Sequence, residues 1–468
     1  MNKVIDTQNN RRSIQIILGG AAFLPPFIGS SLNLAIPSIG ISFSASAITL
    51  SWVVTSYLLA TVALLVPFGS IADMIGRKKI FTFGLIFFIC SAFLGALSWS
   101  IESLLVFRVL QGLGCAMLFG TSPAILTSAF SPQERGKVLG TNVAMVYLGL
   151  TLGPFLGGFL NHHFGWRSIF LFCGSIALIV LALSWLKLSS VEESEKSTAS
   201  FDILGALLYT AGMSLLLYGF SSLANFTLAW LIAISGLVIL GLFIRHELRA
   251  SNPVFPLALF KNNQVFAFAN LAALINYSAT FVPGFLMSIY LQTILGYSSQ
   301  IAGYILLSQA AVMVILSPIA GKWSDQVNAA TVAIIGMSIA ALGVFIFTFI
   351  SLATPIWVIV LNLAILGTGI AIFASPNTNM VMSSVEKRYL GTASSTLGTM
   401  RLAGQTIGMA LITLMLGYYI GHIELTAADP KVLLNGIKTA FGLFTVISIG
   451  AILALWKAKT ASKNFITK

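Results

Sequence analysis

Charge is scarce in this chain. Of its 468 residues only 8% are Asp, Glu, Lys or Arg, against 57% hydrophobic, and such a composition cannot clothe a water-facing surface. An ordinary soluble domain is thereby excluded. Histidine and cysteine are scarcer still, at four and three. Cys90, Cys115 and Cys173 fall inside apolar runs with neither metal-ligand spacing nor a disulfide pattern, and read as small packing residues. His162, His163, His246 and His422 fall at the edges of such runs, so no metal site, cofactor or His-based catalytic cluster is expected. The phosphate-binding sequence GxxxxGK followed by Ser or Thr is absent, which argues against direct ATP coupling within the chain. An enzyme would need a convergent nucleophile, base or metal cluster, and none is found.

What is present is apolar length. Runs of about 20 residues, enough to cross a hydrocarbon core of about 30 Å, are expected as helices because lipid leaves no other partner for the backbone. They fall at about 13–40, 48–71, 80–98, 102–127, 136–160, 167–187, 202–221, 226–246, 264–292, 300–321, 329–349, 355–383, 391–420 and 437–457, fourteen in all. The first follows MNKVIDTQNNRRS and is too long for a signal-peptide core, so it is kept as a span. Net charge is +12, yet the distribution of the cations argues against nucleic acid. With the amino terminus in the cytoplasm, twenty of the 25 Lys and Arg fall on the inner side. Arg167, Lys431 and Lys438 fall outside, and Arg108 and Arg401 lie within spans. That is a positive-inside bias, and the even span count returns the carboxyl terminus to the cytoplasm.

The sequence also repeats. FGSIADMIGRKK (68–79) aligns with IAGKWSDQVN (319–328), pairing Asp73 with Asp325 at an offset of 252, and Glu134 and Glu386 follow their aspartates by the same 61 residues. Gly153 and Gly157 match Gly404 and Gly408 within one residue of that offset. Two homologous six-helix halves are expected, over 1–187 and 247–468, with a solvated linker at 188–201 and two extra spans over 202–246. The fold class is all-α integral membrane, two six-helix bundles plus two additional central spans.

Six segments carry a family likeness: GSIADMIGRKK, RVLQGLG (108–114), GLTLGPFLGG (149–158), NLAIP (33–37), FDILG (201–205) and RLAGQTIG (401–408). Together they resemble the major facilitator superfamily, and within it the fourteen-span drug/proton antiporter family, along nearly the whole chain. The resemblance implies an exporter whose two halves rock about a central cavity, with GLTLGPFLGG keeping the halves sealed. One departure stands out. Many fourteen-span relatives carry an aspartate in span one, five residues before the Asn of the NLAIP segment; here that position is Ile28.

Each motif also has a physical reading of its own. In the Asp73 loop, Gly69 and Gly76 allow tight turning, the carboxylate can receive hydrogen bonds from helix-end amides, and Arg77, Lys78 and Lys79 hold the loop inside, which reads as a gate latch or as a plain topology determinant. Ser131, Pro132 and Glu134, with Arg135 next, read as a capping box. Gly153, Pro154, Gly157 and Gly158 strip bulk from span five so that neighbouring helices can approach or slide.

None of the thirteen acids falls near the middle of a span; Glu102, at the outer start of span four, comes nearest. Arg108 and Arg401 therefore lack a carboxylate at their own depth, although intramembrane cations face a cavity and find partners. Gln111 lies three residues after Arg108 and Gln405 four after Arg401, so each cation shares a helical face with an amide. Backbone carbonyls, these amides, water or the substrate remain as partners. The substrate path is expected among Asn33, Arg108, Gln111, Asn142, Tyr147, Asn270, Asn276, Tyr277, Gln309, Asn377, Arg401 and Gln405. The function expected is a secondary transporter of the cell membrane acting as a monomer. It would export amphipathic drugs or small metabolites, with protons as the candidate coupling ion. The alternatives are an exporter or importer of an anionic or lipid-like metabolite without the usual carboxylate-based proton coupling and, behind it, a membrane receptor that transports nothing.

Overall fold

The computed structural model describes residues 7–130, 134–187, 201–223, 228–250, 253–255, 257–386, 389–421, 423–425 and 427–466; among these, the side chains of 7–10, 127, 135–137, 325 and 462–466 are left aside. Fourteen of its helices are long and apolar enough to cross a membrane. In chain order they begin with α1 (Thr7–Phe43), α2 (Ala47–Ile75), α3 (Arg77–Ala96), α4 (Ile101–Ala129), α5 (Arg135–Phe164) and α6 (Arg167–Lys187). The extra pair is α7 (Ile203–Ser221) and α8 (Ala229–Glu247). A short α9 (Leu257–Asn262) leads to α10 (Gln264–Thr280) and α11 (Val282–Ile289), then α12 (Ser299–Gln326), α13 (Ala329–Ile346), α14 (Ile356–Ser383), α15 (Leu390–Tyr419) and α16 (Pro430–Ile466). Both ends of the described chain lie on one face, here called the amino-terminal face. Leu178, Leu237, Val314 and Val446 point outward around the waist, and Trp99, Trp357 and Tyr418 at one end and Trp185 and Trp456 at the other stand exposed, the pattern of a lipid-facing wall with interfacial aromatics.

Short polar side chains set where helices begin. Ser46 accepts from Thr49 N (3.2 Å), Asn263 from Phe266 N (3.0 Å) and Asp202 from Gly205 N (2.8 Å), each satisfying an orphan amide. The ninth span departs from the single helix expected. Pro283 cannot donate to the ladder, so the helix breaks after Thr280, restarts as α11 and ends in a π-helical turn over Tyr290–Ile294.

The internal repeat reappears as packing. Within the first bundle α1 packs on α5, α2 on α4 and α3 on α6; within the second, α10 packs on α15, α12 on α14 and α13 on α16. The bundles meet along two seams, α5 with α12 and α2 with α15. The extra pair lies over the second seam. Tyr209 Oη donates to Val62 O (3.2 Å) and Thr210 Oγ1 to Ala63 O (3.1 Å) of α2, while Met400 of α15 packs against the cluster around Tyr209. Its amino-terminal end is tied by Asp202, whose two carboxylate oxygens both lie 2.8 Å from His246 Nε2. Asp202→Ala removes cap and partner together, and a loss of about 0.5–2 kcal/mol is expected. A lower thermal midpoint in detergent, partly restored in Asp202→Asn, would bear this out; a wild-type midpoint would refute it.

Candidate functional site

The contacts between the two bundles concentrate at the face opposite the termini. Ser288 Oγ donates to Asn33 O (2.6 Å), Gln292 Nε2 to Leu34 O (3.1 Å) and Ser299 Oγ to Gly158 O (3.2 Å), while Ser51 and Thr413 share a hydroxyl bond (2.8 Å). Glycine makes this approach possible. A Cβ at Gly158 would lie 2.5 Å from Ser299 O, and one at Gly303 would collide with Pro154 O. The two glycines of the GG pair thus face different ways: Gly158 meets the other bundle, whereas a Cβ at Gly157 would lie 2.7 Å from Ser31 Cα, within the same bundle. Gly153 also faces α1, where Ser31 Oγ donates to its carbonyl (3.0 Å).

At the amino-terminal face the bundles part around a vestibule of about 370 Å³ between α2, α4 and α15. Gly69, Asp73, Arg77, Ser70, Thr392 and Ser395 line it, with Val254 and Phe255 from the segment after α8. That segment is held by Glu247, whose buried carboxylate accepts from Val254 N (3.1 Å) and Phe255 N (3.4 Å).

Several expectations for this face need correction. Asp73 accepts not from helix-end amides but from Arg77 Nε (2.7 Å), and Arg77 Nη1 donates onward to Ala124 O at the end of α4 (3.2 Å). Gly76 does form the turn, with φ of 118°, but Gly69 sits inside α2 against Gly120. Glu134 takes an ion pair with Arg11 (3.2 Å), and the capping box expected of it with Ser131 rests on residues outside those described. Ser131 and Pro132 lie outside the described residues, as do the side chains of Arg135 and Asp325.

Between vestibule and sealed end lies a central cavity of about 100 Å³, lined by Asn33, Tyr147, Pro154, Tyr277, Gln309 and Gln405 among the expected residues. An adjoining pocket of about 30 Å³ adds Tyr57, Arg401 and the α1 prolines Pro25 and Pro26. Among the described residues no carboxylate lines either. Tyr147 and Tyr277 reach from opposite bundles to within 3.3 Å, hydroxyl to hydroxyl, and the Arg401 guanidinium lies 5.9 Å from the Tyr277 ring centre.

Arg108 lies elsewhere. It is fully buried, donates from Nε to Val53 O (2.8 Å) and from Nη1 to Gln111 Oε1, and stacks 4.1 Å from the centre of the Tyr57 ring, while its Nη2 makes no hydrogen bond. Tyr57 stands between it and the pocket. Gln111, Asn270, Asn276 and Asn377 are likewise buried away from the cavity walls, and half-buried Asn142 does not reach them. Sequence reasoning passed over Ser30, Thr151 and Thr280, which line the central cavity. Nothing distinguishes their small hydroxyls from the many that bond back into their own helix.

Comparison with known proteins adds a family, two relatives and two solved structures. The profile of the Major Facilitator Superfamily matches residues 18–260 and 269–467. The chain is 30% identical over 402 residues to the riboflavin transporter RibZ of Clostridioides difficile, covering 86% of this chain and 87% of that one. It is also 30% identical over 438 residues to the multidrug resistance protein Stp of Mycobacterium tuberculosis, covering 90% and 80%. Among solved structures, a bacterial homolog of the human lysosomal transporter Spinster, in an inward-facing, unoccupied conformation, superposes with a TM-score of 0.70 at 16% identity over 99% of both chains. The xylose transporter XylE of E. coli, partially occluded and inward open, gives 0.65 at 16% over 96% and 99%.

Proposed function

The chain belongs to the Major Facilitator Superfamily, a fourteen-span membrane transporter of small molecules and not an enzyme, and from that premise we propose that it exports amphipathic drugs or small metabolites across the cell membrane by alternating access. The observation that carries this reading is the asymmetry of the seams. The central cavity lies below a vestibule on one face and is closed on the other by backbone-to-backbone approach at Gly158 and Gly303. Rocking of the bundles would exchange the two. The bias of Lys and Arg orients the termini and vestibule to the cytoplasm, so this conformation is the one that loads from inside. Transport by purified protein in vesicles, with cationic, neutral and anionic compounds and with or without a pH gradient, tests the reading. Movement only toward the cytoplasmic side, or none of any class, would overturn it.

A second reading, carriage of an anionic or lipid-like metabolite without carboxylate-based proton coupling, is supported by the fully buried Ile28 and the acid-free cavity walls. On it, a proton travels on the substrate or on a peripheral acid such as Asp73 or Glu102, or not at all.

Asp73 acts, on this proposal, on the rocking equilibrium through Arg77 and the α4 carbonyl. The pair is exposed and worth about 1 kcal/mol at most, so Asp73→Asn is expected to slow turnover by up to about fivefold. Substrate affinity in detergent should hardly change. Lost affinity with normal turnover would place Asp73 in substrate binding instead.

A further inference from the structure

Two arginines lie within the membrane-spanning helices and the structure treats them differently. Arg108 is enclosed, with a carbonyl, an amide and an aromatic ring around its guanidinium. Arg401 is open. Among the described residues the ion pairs are Arg11 with Glu134, Arg77 with Asp73 and His246 with Asp202, so Arg401 has no carboxylate, nor does it make a hydrogen bond. It lies in the pocket wall beside Gln405, facing the Tyr277 ring. A cation at this depth without a partner is costly, and the space in front of it is where a partner can enter.

The chemistry of the surrounding wall narrows what that partner is. Tyr147 and Tyr277, one from each bundle, bring aromatic surface to the same cavity, which suits a flat ring system. Asn33, Gln309 and Gln405 supply uncharged donors and acceptors, and the Asn33 Oδ1 is buried without a hydrogen bond. A planar guanidinium pairs with two acceptor atoms in one plane, as on a carboxylate or two neighbouring carbonyls. Cations find no carboxylate in either cavity wall and one fixed positive charge. Resting on the transport reading above, we propose that the central cavity selects planar aromatic compounds with an anionic or carbonyl-bearing edge, and that Arg401 holds that edge.

Fluorescein and rhodamine 123 share a xanthene ring system and differ in the sign of their charge, so they isolate this choice. Binding of each to the purified full chain in detergent is read by fluorescence anisotropy. Wild type should bind fluorescein about tenfold or more tightly than rhodamine 123, an outcome that needs no variant. Arg401→Gln should lose about tenfold or more for fluorescein while rhodamine 123 is unchanged or tighter, and Arg401→Lys should fall between because the fork is lost. Equal affinity of wild type for the two dyes, or undiminished fluorescein binding by folded Arg401→Gln, would overturn the proposal. The same dyes in vesicles separate the two readings. Selective binding of fluorescein without movement of any compound sinks the transport mechanism alone, and transport of rhodamine 123 but not fluorescein sinks the assignment of Arg401 alone.

Discussion

Gly158→Leu is expected to abolish transport while leaving a protein that inserts and folds. The first added carbon would already lie 2.5 Å from Ser299 O and 3.3 Å from Gly303 Cα, and both belong to the other bundle. Neither atom is a side chain that can turn aside, so the only relief is separation of α5 from α12. Overpacking of this kind costs about 3 kcal/mol, which lowers the population of the sealed conformation on the order of a hundredfold. Each bundle keeps its own core, because the collision exists only while the seam is closed. A cysteine pair reports this directly. Ser51 and Thr413 touch across the α2 and α15 seam at the same face, so Ser51→Cys with Thr413→Cys should crosslink readily in an otherwise wild-type background and poorly beside Gly158→Leu. Normal transport by Gly158→Leu, or undiminished crosslinking, would show that the Gly158 contact does not hold that face shut. Gly157→Leu differs one residue away. Its collision is with Ser31 of α1 inside one bundle, and it should lower yield and melting temperature before any question of gating arises.

The sequence made the spans and the repeat legible because lipid allows so few solutions. A long apolar run must close its own backbone hydrogen bonds, and an Asp-to-Glu interval of 61 residues twice over implies one architecture twice over. The site was less legible, for a physical reason. Arg108 with Gln111 and Arg401 with Gln405 look alike on a helical wheel, since spacing says which residues share a face but not what that face meets. In α4 it meets the α2 backbone and Tyr57; in α15 it meets the cavity. The motif glycines divide in the same way, Gly158 toward the other bundle and Gly157 toward α1. Glu134 pairs with Arg11 from 123 residues away, a contact that no local spacing can foretell. The break after Thr280 was signalled by Pro283, but a proline inside a span can bend a helix or end it, and neighbours decide which.

Arg108→Ala is the second large effect, and its measurement separates a structural cation from a substrate-binding one. The guanidinium fills a fully enclosed site between α2 and α4, and truncation leaves a space the length of its side chain and deprives Gln111 and the Val53 carbonyl of their partner. Loss of such a buried polar cluster costs about 3–5 kcal/mol, so the variant should express weakly and melt well below wild type. Arg108→Lys should recover only part, because one ammonium cannot bond Val53 O and Gln111 Oε1 and also lie flat on Tyr57. Arg108→Met, which keeps the length and removes the charge, asks a sharper question. Met restores much of the lost packing but leaves Gln111 Oε1 and the Val53 carbonyl without their donor, so Arg108→Met should melt above Arg108→Ala and below wild type. Tyr57 stands between the guanidinium and the pocket, and the surviving folded protein should therefore bind fluorescein within about twofold of wild type, the reverse of Arg401→Gln. A folded Arg108→Met that had lost fluorescein affinity as fully as Arg401→Gln would place Arg108 in the substrate's path in some other conformation and overturn its assignment to the scaffold.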